Sequence, residues 1–221
     1  MKRNILLLCL CLFACLNVFS YDVENDGIYY NLSGNEATVT YKDYNYNSYS
    51  GEVVIPESFT YNGITYSVTS IGSSAFSYCR SLTSITIPES VTSIGSSAFS
   101  DCSSLTSITI PESVTSIGSS AFGDCTGLTS VIIPGSVTSI GDYTFRGCSS
   151  LTSVTIGSGV TSIGDRTFLG CSSLTSVNIP ESVTSIGSSA FSGCSSLTSI
   201  IIPESVISIN VFAFGDRKSV V

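Results

Sequence analysis

Along most of the chain, apolar and polar positions follow one order that returns at a fixed step, so that Leu105, Leu128 and Leu151 hold the same place in it. A representative copy runs from Leu105 through Ile108 and Ile110, which alternate with Ser107 and Thr109, to Pro111. It continues through Val114, Ile117 and Gly118 to Ala121, Phe122 and Cys125. Alternation over residues 107–110 has the period of two that marks a strand with one face buried. Pro111 ends that strand, because proline has no N–H for a continuing ladder. Val114–Ile117 is a second short extended piece, and Gly118 is placed to supply a turn. Residues 119–124 predict a single helical turn that carries the Phe122 ring inward. Six apolar side chains cannot offset the entropy of ordering a free-standing coil, so the copies must stack.

A step of 23 is kept by Phe76, Phe99, Phe122, Phe145, Phe168, Phe191 and Phe214. Cysteine keeps it too, at Cys79, Cys102, Cys125, Cys148, Cys171 and Cys194. A fixed period in this range belongs to stacked repeats and not to a globular core. The expected fold is a mainly β repeat solenoid with parallel strands and short helical turns. Six to seven copies fill residues 67–216, and residues 217–221 form a tail. Arg217 stands where the next Cys would fall and Val220 where the next Leu would, which reads as a truncated or fragmentary chain.

Residues 21–66 do not repeat and hold most of the chain's 11 tyrosines. Gly27–Leu32 and Ala37–Tyr41 alternate as strands around a turn at Ser33-Gly34-Asn35, and Lys42–Ser50 reads as a polar loop. Val53-Val54-Ile55 starts a repeat-like strand. Phe59–Tyr66 reads as a hairpin, with Asn62-Gly63 the corner because both positions tolerate positive φ. This aromatic segment is the natural cap for the open end of a stack. Its tyrosines are also able to contact a ligand.

Ahead of the cap, Lys2-Arg3 and the apolar run Ile5–Phe13 form a signal peptide over residues 1–20, the run being too short for a membrane span. An alternative reading takes Leu12-Phe13-Ala14-Cys15 as a lipobox, with a lipid anchor at Cys15. Either reading exports the chain. Three of the 9 cysteines lie in the leader. The other six invite a disulfide framework in an exported protein, or else a buried column of free thiols. In-register stacking brings them to about 4.8 Å but leaves their Cβ vectors parallel, so a bridge needs local distortion.

Charged residues are only 11% of the chain, and the formal charge of −8 becomes −10 when Lys2 and Arg3 leave with the leader. With no basic cluster, nothing is gained from a phosphate backbone, which argues against nucleic-acid binding. The chain has no His, so neutral-pH triads and ordinary zinc sites are not expected. Glu89, Glu112, Glu181 and Glu204 share one position after the strand and read as a row of solvated, solubilising turns. Asp101, Asp124, Asp142 and Asp165 are too few for a calcium ladder. No catalytic residue, metal or cofactor is expected.

The run Leu-Thr-Ser-Ile-x-Ile-Pro-x-Ser-Val-Thr-Ser-Ile-Gly-x-x-Ala-Phe-x-x-Cys resembles the BspA-type (Treponema-pallidum-type) leucine-rich repeat family. The resemblance covers about residues 53–216, and the capping hairpin is similar to caps in bacterial members. It implies a right-handed superhelix and an exported or surface-displayed protein. Some members adhere to matrix proteins or other cells, so extracellular proteins or glycans are the implied partners. Gly157 departs from the pattern in place of the proline. Gly135 and Ser158 replace the acidic follower, and Tyr143-Thr144 and Arg166-Thr167 replace Ser-Ala.

The candidate partner-binding surface is the outward strand face: Ser107, Thr109, Ser130, Ile132, Ser153, Thr155, Asn178 and Ile201. Its hydroxyls are placed to form cross-strand ladders, and Ile132 and Ile201 interrupt them as apolar anchors. Tyr143, Arg146 and Arg166 form a second candidate patch. The reading is a non-enzymatic adhesion or host-interaction module. The alternative is a structural surface, or an ice-binding-like solenoid suggested by the Thr-Ser columns in composition only.

Overall fold

The computed structural model describes residues 20–45 and 47–215. The expected leader up to residue 19, with Cys15 of the alternative lipobox reading, and the tail 217–221 lie outside the described residues. From Ile64 onward the chain winds into coils, one to each repeat, stacked in register. Ser130–Ile133, Ser153–Ile156 and Ser176–Asn178 pair in parallel, with Ser130 opposite Ser153 and Ser153 opposite Ser176. Gly51–Val54 and Leu82–Thr86 form a separate parallel pair on the same side of the coils. A second side is laddered by the two-residue strands Ser93–Ile94, Ser116–Ile117 and Ser139–Ile140. Ser162–Ile163, Ser185–Ile186 and Ser208–Ile209 extend it after a break.

On the third side the expected helical turn is replaced, and no helix occurs among the described residues. Ser120, Phe122 and Asp124 donate their N–H groups to Asp142, Thr144 and Arg146 of the next coil at 2.8, 2.9 and 2.7 Å. Ala121, Gly123 and Cys125 instead donate three residues back, to Gly118, Ser120 and Phe122. Alternation of this kind needs left-handed backbone at Ser120 (φ 56°) and Asp124 (φ 57°), which a right-handed helix does not contain. Every coil thereby bonds to its neighbour along this side as well.

The interior is a column of parallel phenyl rings. Centroids of Phe99, Phe122 and Phe145 are 5.3 Å apart with ring planes within 3°, a spacing within the favourable range for offset stacking. Beside it runs the cysteine column. The six repeat cysteines are buried in it, and Cys125 Sγ donates to the Phe99 carbonyl at 3.0 Å. Gly95, Gly118 and Gly141 stand in the coil for a reason other than the turn expected of Gly118. A Cβ at Gly118 would lie 2.5 Å from the backbone nitrogen of Ser96 in the preceding coil. Close stacking leaves no room for a side chain there.

The N-terminal segment is joined to the stack as a continuous sheet. Ile28–Ser33 pairs antiparallel with Glu36–Thr40, which pairs in parallel with Ile64–Ile71, the strand that leads into Ser93–Ile94. Val23–Asn25 adds an outer strand across the corner Asp26-Gly27, both at positive φ. Ser58–Tyr61 and Ile64–Ile71 form the expected hairpin, with Asn62 at φ 50° and Gly63 at φ 79°. Lys42–Ser50 differs from a purely polar loop, because Tyr49 is buried in it. Its ring lies 4.4 Å from Phe76 and begins the phenyl column. The Tyr49 hydroxyl donates to the Thr40 carbonyl and accepts from the Tyr29 N–H.

Candidate functional site

Each coil presents two outward residues from its strand side, and their positions follow from the pleat. Leu128, Val131 and Ile133 point in, while Ser130 and Ile132 point out. Thr109, Thr155, Asn178, Ser107 and Ser130 are exposed and Ser153 half-buried, so these residues lie on one face. Ile132 is 67% exposed on it and Ile201 84%. Hydroxyl ladders run along a neighbouring column instead of the expected one. Thr129, Thr152 and Thr175 donate to the carbonyls of Thr106, Thr129 and Thr152 at 3.2, 3.0 and 2.9 Å. Among the described residues, the hydroxyls of Ser107, Thr109, Ser130, Ser153 and Thr155 make no such bond, which leaves them available to a partner.

The face is interrupted at the coil of Leu105. Side chains there keep the inward and outward alternation, but residues 107–110 belong to no ladder, and the strand expected over them is absent. Among the described residues, Leu82–Thr86 pairs only with Gly51–Val54, and Ser130–Ile133 only with Ser153–Ile156. A shallow groove of about 430 Å³ opens at this break, with Ser107, Thr109, Ile132, Pro134, Glu89 and Glu112 among its lining. Glu89 and Glu112, read from sequence as solvated turns only, are here the carboxylates of a groove. The available signal was Gly135, which removes the next side chain in their row.

The second patch divides in two. Arg166 donates to the Tyr143 hydroxyl and places its guanidinium 5.3 Å from the Tyr143 ring centre. Arg146 turns to the preceding coil and pairs with Asp124 at 3.3 Å. Tyr143 and Arg166 occupy the left-handed column of Ser120, at φ 60° and 54°. Their Thr neighbours are buried, with Thr144 donating to the Gly141 carbonyl at 2.6 Å and Thr167 to that of Gly164 at 2.9 Å. A similar pair missed in the sequence sits at Tyr78 and Arg80, with Arg80 5.8 Å from the Tyr78 ring and 3.9 Å from Asp101.

Buried thiols supply no nucleophile. Burial pushes the Cys125 thiol up to about 12, and it raises those of Cys79, Cys102, Cys148 and Cys171. Among the described residues, no group of three His, Cys, Asp or Glu side chains is placed to hold a metal ion. No helix among them is long and apolar enough to cross a membrane. What the strand face offers is hydrogen-bonding hydroxyls, the exposed Ile132 and Ile201, and a groove bordered by Glu89 and Glu112.

The family model for the BspA type leucine rich repeat region matches residues 55–160 and 121–220. Among solved structures, a leucine rich cell surface protein from Faecalibacterium prausnitzii A2-165 is 37% identical, with a TM-score of 0.74 over 85% of this chain and 50% of that one. A leucine-rich repeat protein from Eubacterium ventriosum is 31% identical, with a TM-score of 0.74 over 87% and 48% of the two chains. The T. pallidum leucine rich repeat protein is 27% identical, with a TM-score of 0.63 over 80% and 90%. The chain thus spans about half the length of the first two. No curated protein matches it.

Proposed function

Since the chain belongs to the BspA-type leucine-rich repeat family, we propose that it is an exported, cell-surface binding module whose strand face engages extracellular proteins or glycans. Adhesion to a host matrix or to other cells is the role in view, with no catalytic step. The observation that carries this reading is the row of unladdered hydroxyls interrupted by the exposed Ile132 on one side of the stack. Further support comes from the basic and apolar leader, and from similarity to a protein described as a cell surface protein. Weak contacts repeated along a solenoid gain strength through multivalency.

The test is binding of the chain, purified without residues 1–20, to arrays of matrix proteins and glycans. The paired variants are Thr155→Arg on the strand face and Thr115→Arg on the second side. Binding above an inert control that is lost in Thr155→Arg and kept in Thr115→Arg is the expected result. A flat response over the whole panel sinks the proposal.

A further inference from the structure

Resting on the strand face as the binding surface, we infer that the groove at the coil of Leu105 takes an extended peptide segment in which a basic side chain neighbours an apolar one. In the next three coils, the backbone groups of this side are taken up by the ladder of Ser130–Ile133, Ser153–Ile156 and Ser176–Asn178. At residues 107–110 they are not: among the described residues, none of those N–H or C=O groups makes a backbone hydrogen bond. Unpaired donors and acceptors beside a groove suit a partner that brings both kinds, and an extended peptide backbone does.

Side chains fix the class further. Ile132 stands 67% exposed on one wall, where Thr109 and Thr155 occupy the same column in neighbouring coils. It offers an apolar contact that those coils do not. Glu89 and Glu112 bound the groove, and among the described residues no Lys or Arg lines it. Their row continues as Gly135 and Ser158 before Glu181, so the acidic pair flanks one side and the other stays open. A cationic side chain is attracted there, and an acidic partner is repelled by both carboxylates and by the chain's net negative charge.

The probe is an end-capped heptapeptide alternating lysine and valine, with a glutamate and valine counterpart, each followed by fluorescence anisotropy against the chain purified without its leader. The lysine peptide is expected to bind and the glutamate peptide not. Ile132→Thr installs the residue its own column uses elsewhere, and Glu89→Gln with Glu112→Gln removes the carboxylates. Each is expected to weaken binding about fivefold or more, the equivalent of roughly 1 kcal/mol. Glu181→Gln with Glu204→Gln makes the same charge change further along the row and should leave affinity unchanged. Equal binding of the two peptides, or equal loss in the two glutamate pairs, overturns the assignment in favour of diffuse charge attraction. Failure of the lysine peptide while the matrix and glycan arrays respond, with loss in Thr155→Arg, sinks this inference alone.

Discussion

Cys125 illustrates how a single residue is conditioned by the coil before it. Its thiol is fully buried, donates to the carbonyl of Phe99, and is pushed up to about 12 by burial. A thiol titrates near 9 when exposed. The unfolded chain therefore loses this proton first, and stability is intact below about pH 9 and falls as pH rises toward 12. The slope for one thiol is at most about 1.4 kcal/mol per pH unit. Urea unfolding of wild type and Cys125→Ala between pH 7 and 11 checks this: the wild-type curve should fall more steeply above pH 9, and parallel curves would refute it. Phenyl and thiol burial was legible from the sequence because both residue types keep the period of the repeat. The reason for Gly118 was not, since the Ser96 backbone that excludes its Cβ belongs to the preceding coil, remote along the chain and adjacent only in the stack. Tyr49 was hidden for a related reason: it lies outside the repeats, in a polar stretch, and completes a column whose first periodic member is Phe76, far downstream.

The informative element is the side carrying Ser119 to Asp124. Local propensity allows a helical turn there, and the ring of Phe122 points inward as the periodicity requires. Hydrogen bonding to the next coil decides otherwise. A helical turn directs its N–H groups along its own axis, whereas a stack gains one more ladder if alternate N–H groups point across. Left-handed residues at Ser97, Ser120 and Ser189 are the conformational cost of that ladder. Ser120→Val should then destabilise by about 1–3 kcal/mol, because a β-branched residue is an outlier at positive φ. Ser107→Val, at an exposed position without positive φ, should stay within about 0.5 kcal/mol. Chemical denaturation of the two variants decides it, and equal losses would mean that backbone conformation is not what distinguishes the sites. Strand alternation was legible at the same level. The ladder break at residues 107–110 was not, because that coil reads nearly letter for letter like its neighbours. The candidate groove consequently escaped the sequence, while the outward residues that border it, Ser107, Thr109 and Ile132, did not.

At the scale of the molecule, each coil touches only its neighbours, so stability is distributed as a chain of interfaces. The first and last described coils differ. The first is closed by Tyr49 packed against Phe76 and by a sheet that runs from Ile28–Ser33 through Glu36–Thr40 and Ile64–Ile71 into Ser93–Ile94. In the last described coil, Ser208–Ile209 has a strand on one side only, and Ile207 and Phe212 are 87% and 69% exposed. Ile207 takes the place of the Thr184 column and Phe212 that of the Ser189 column. Amide exchange should accordingly be slowest in the coils of Phe99 to Phe168 and fastest over residues 197–215. Tyr49→Ala removes the ring that covers Phe76 and should cost about 3–5 kcal/mol locally, by analogy with buried aromatic truncations. In an interface-by-interface stack, that loss accelerates exchange at Phe76 and Cys79 well before it reaches Phe168 and Cys171. Exchange measured on both forms separates this from a single cooperative unit, in which Tyr49→Ala would speed the slowest amides of every coil by the same factor.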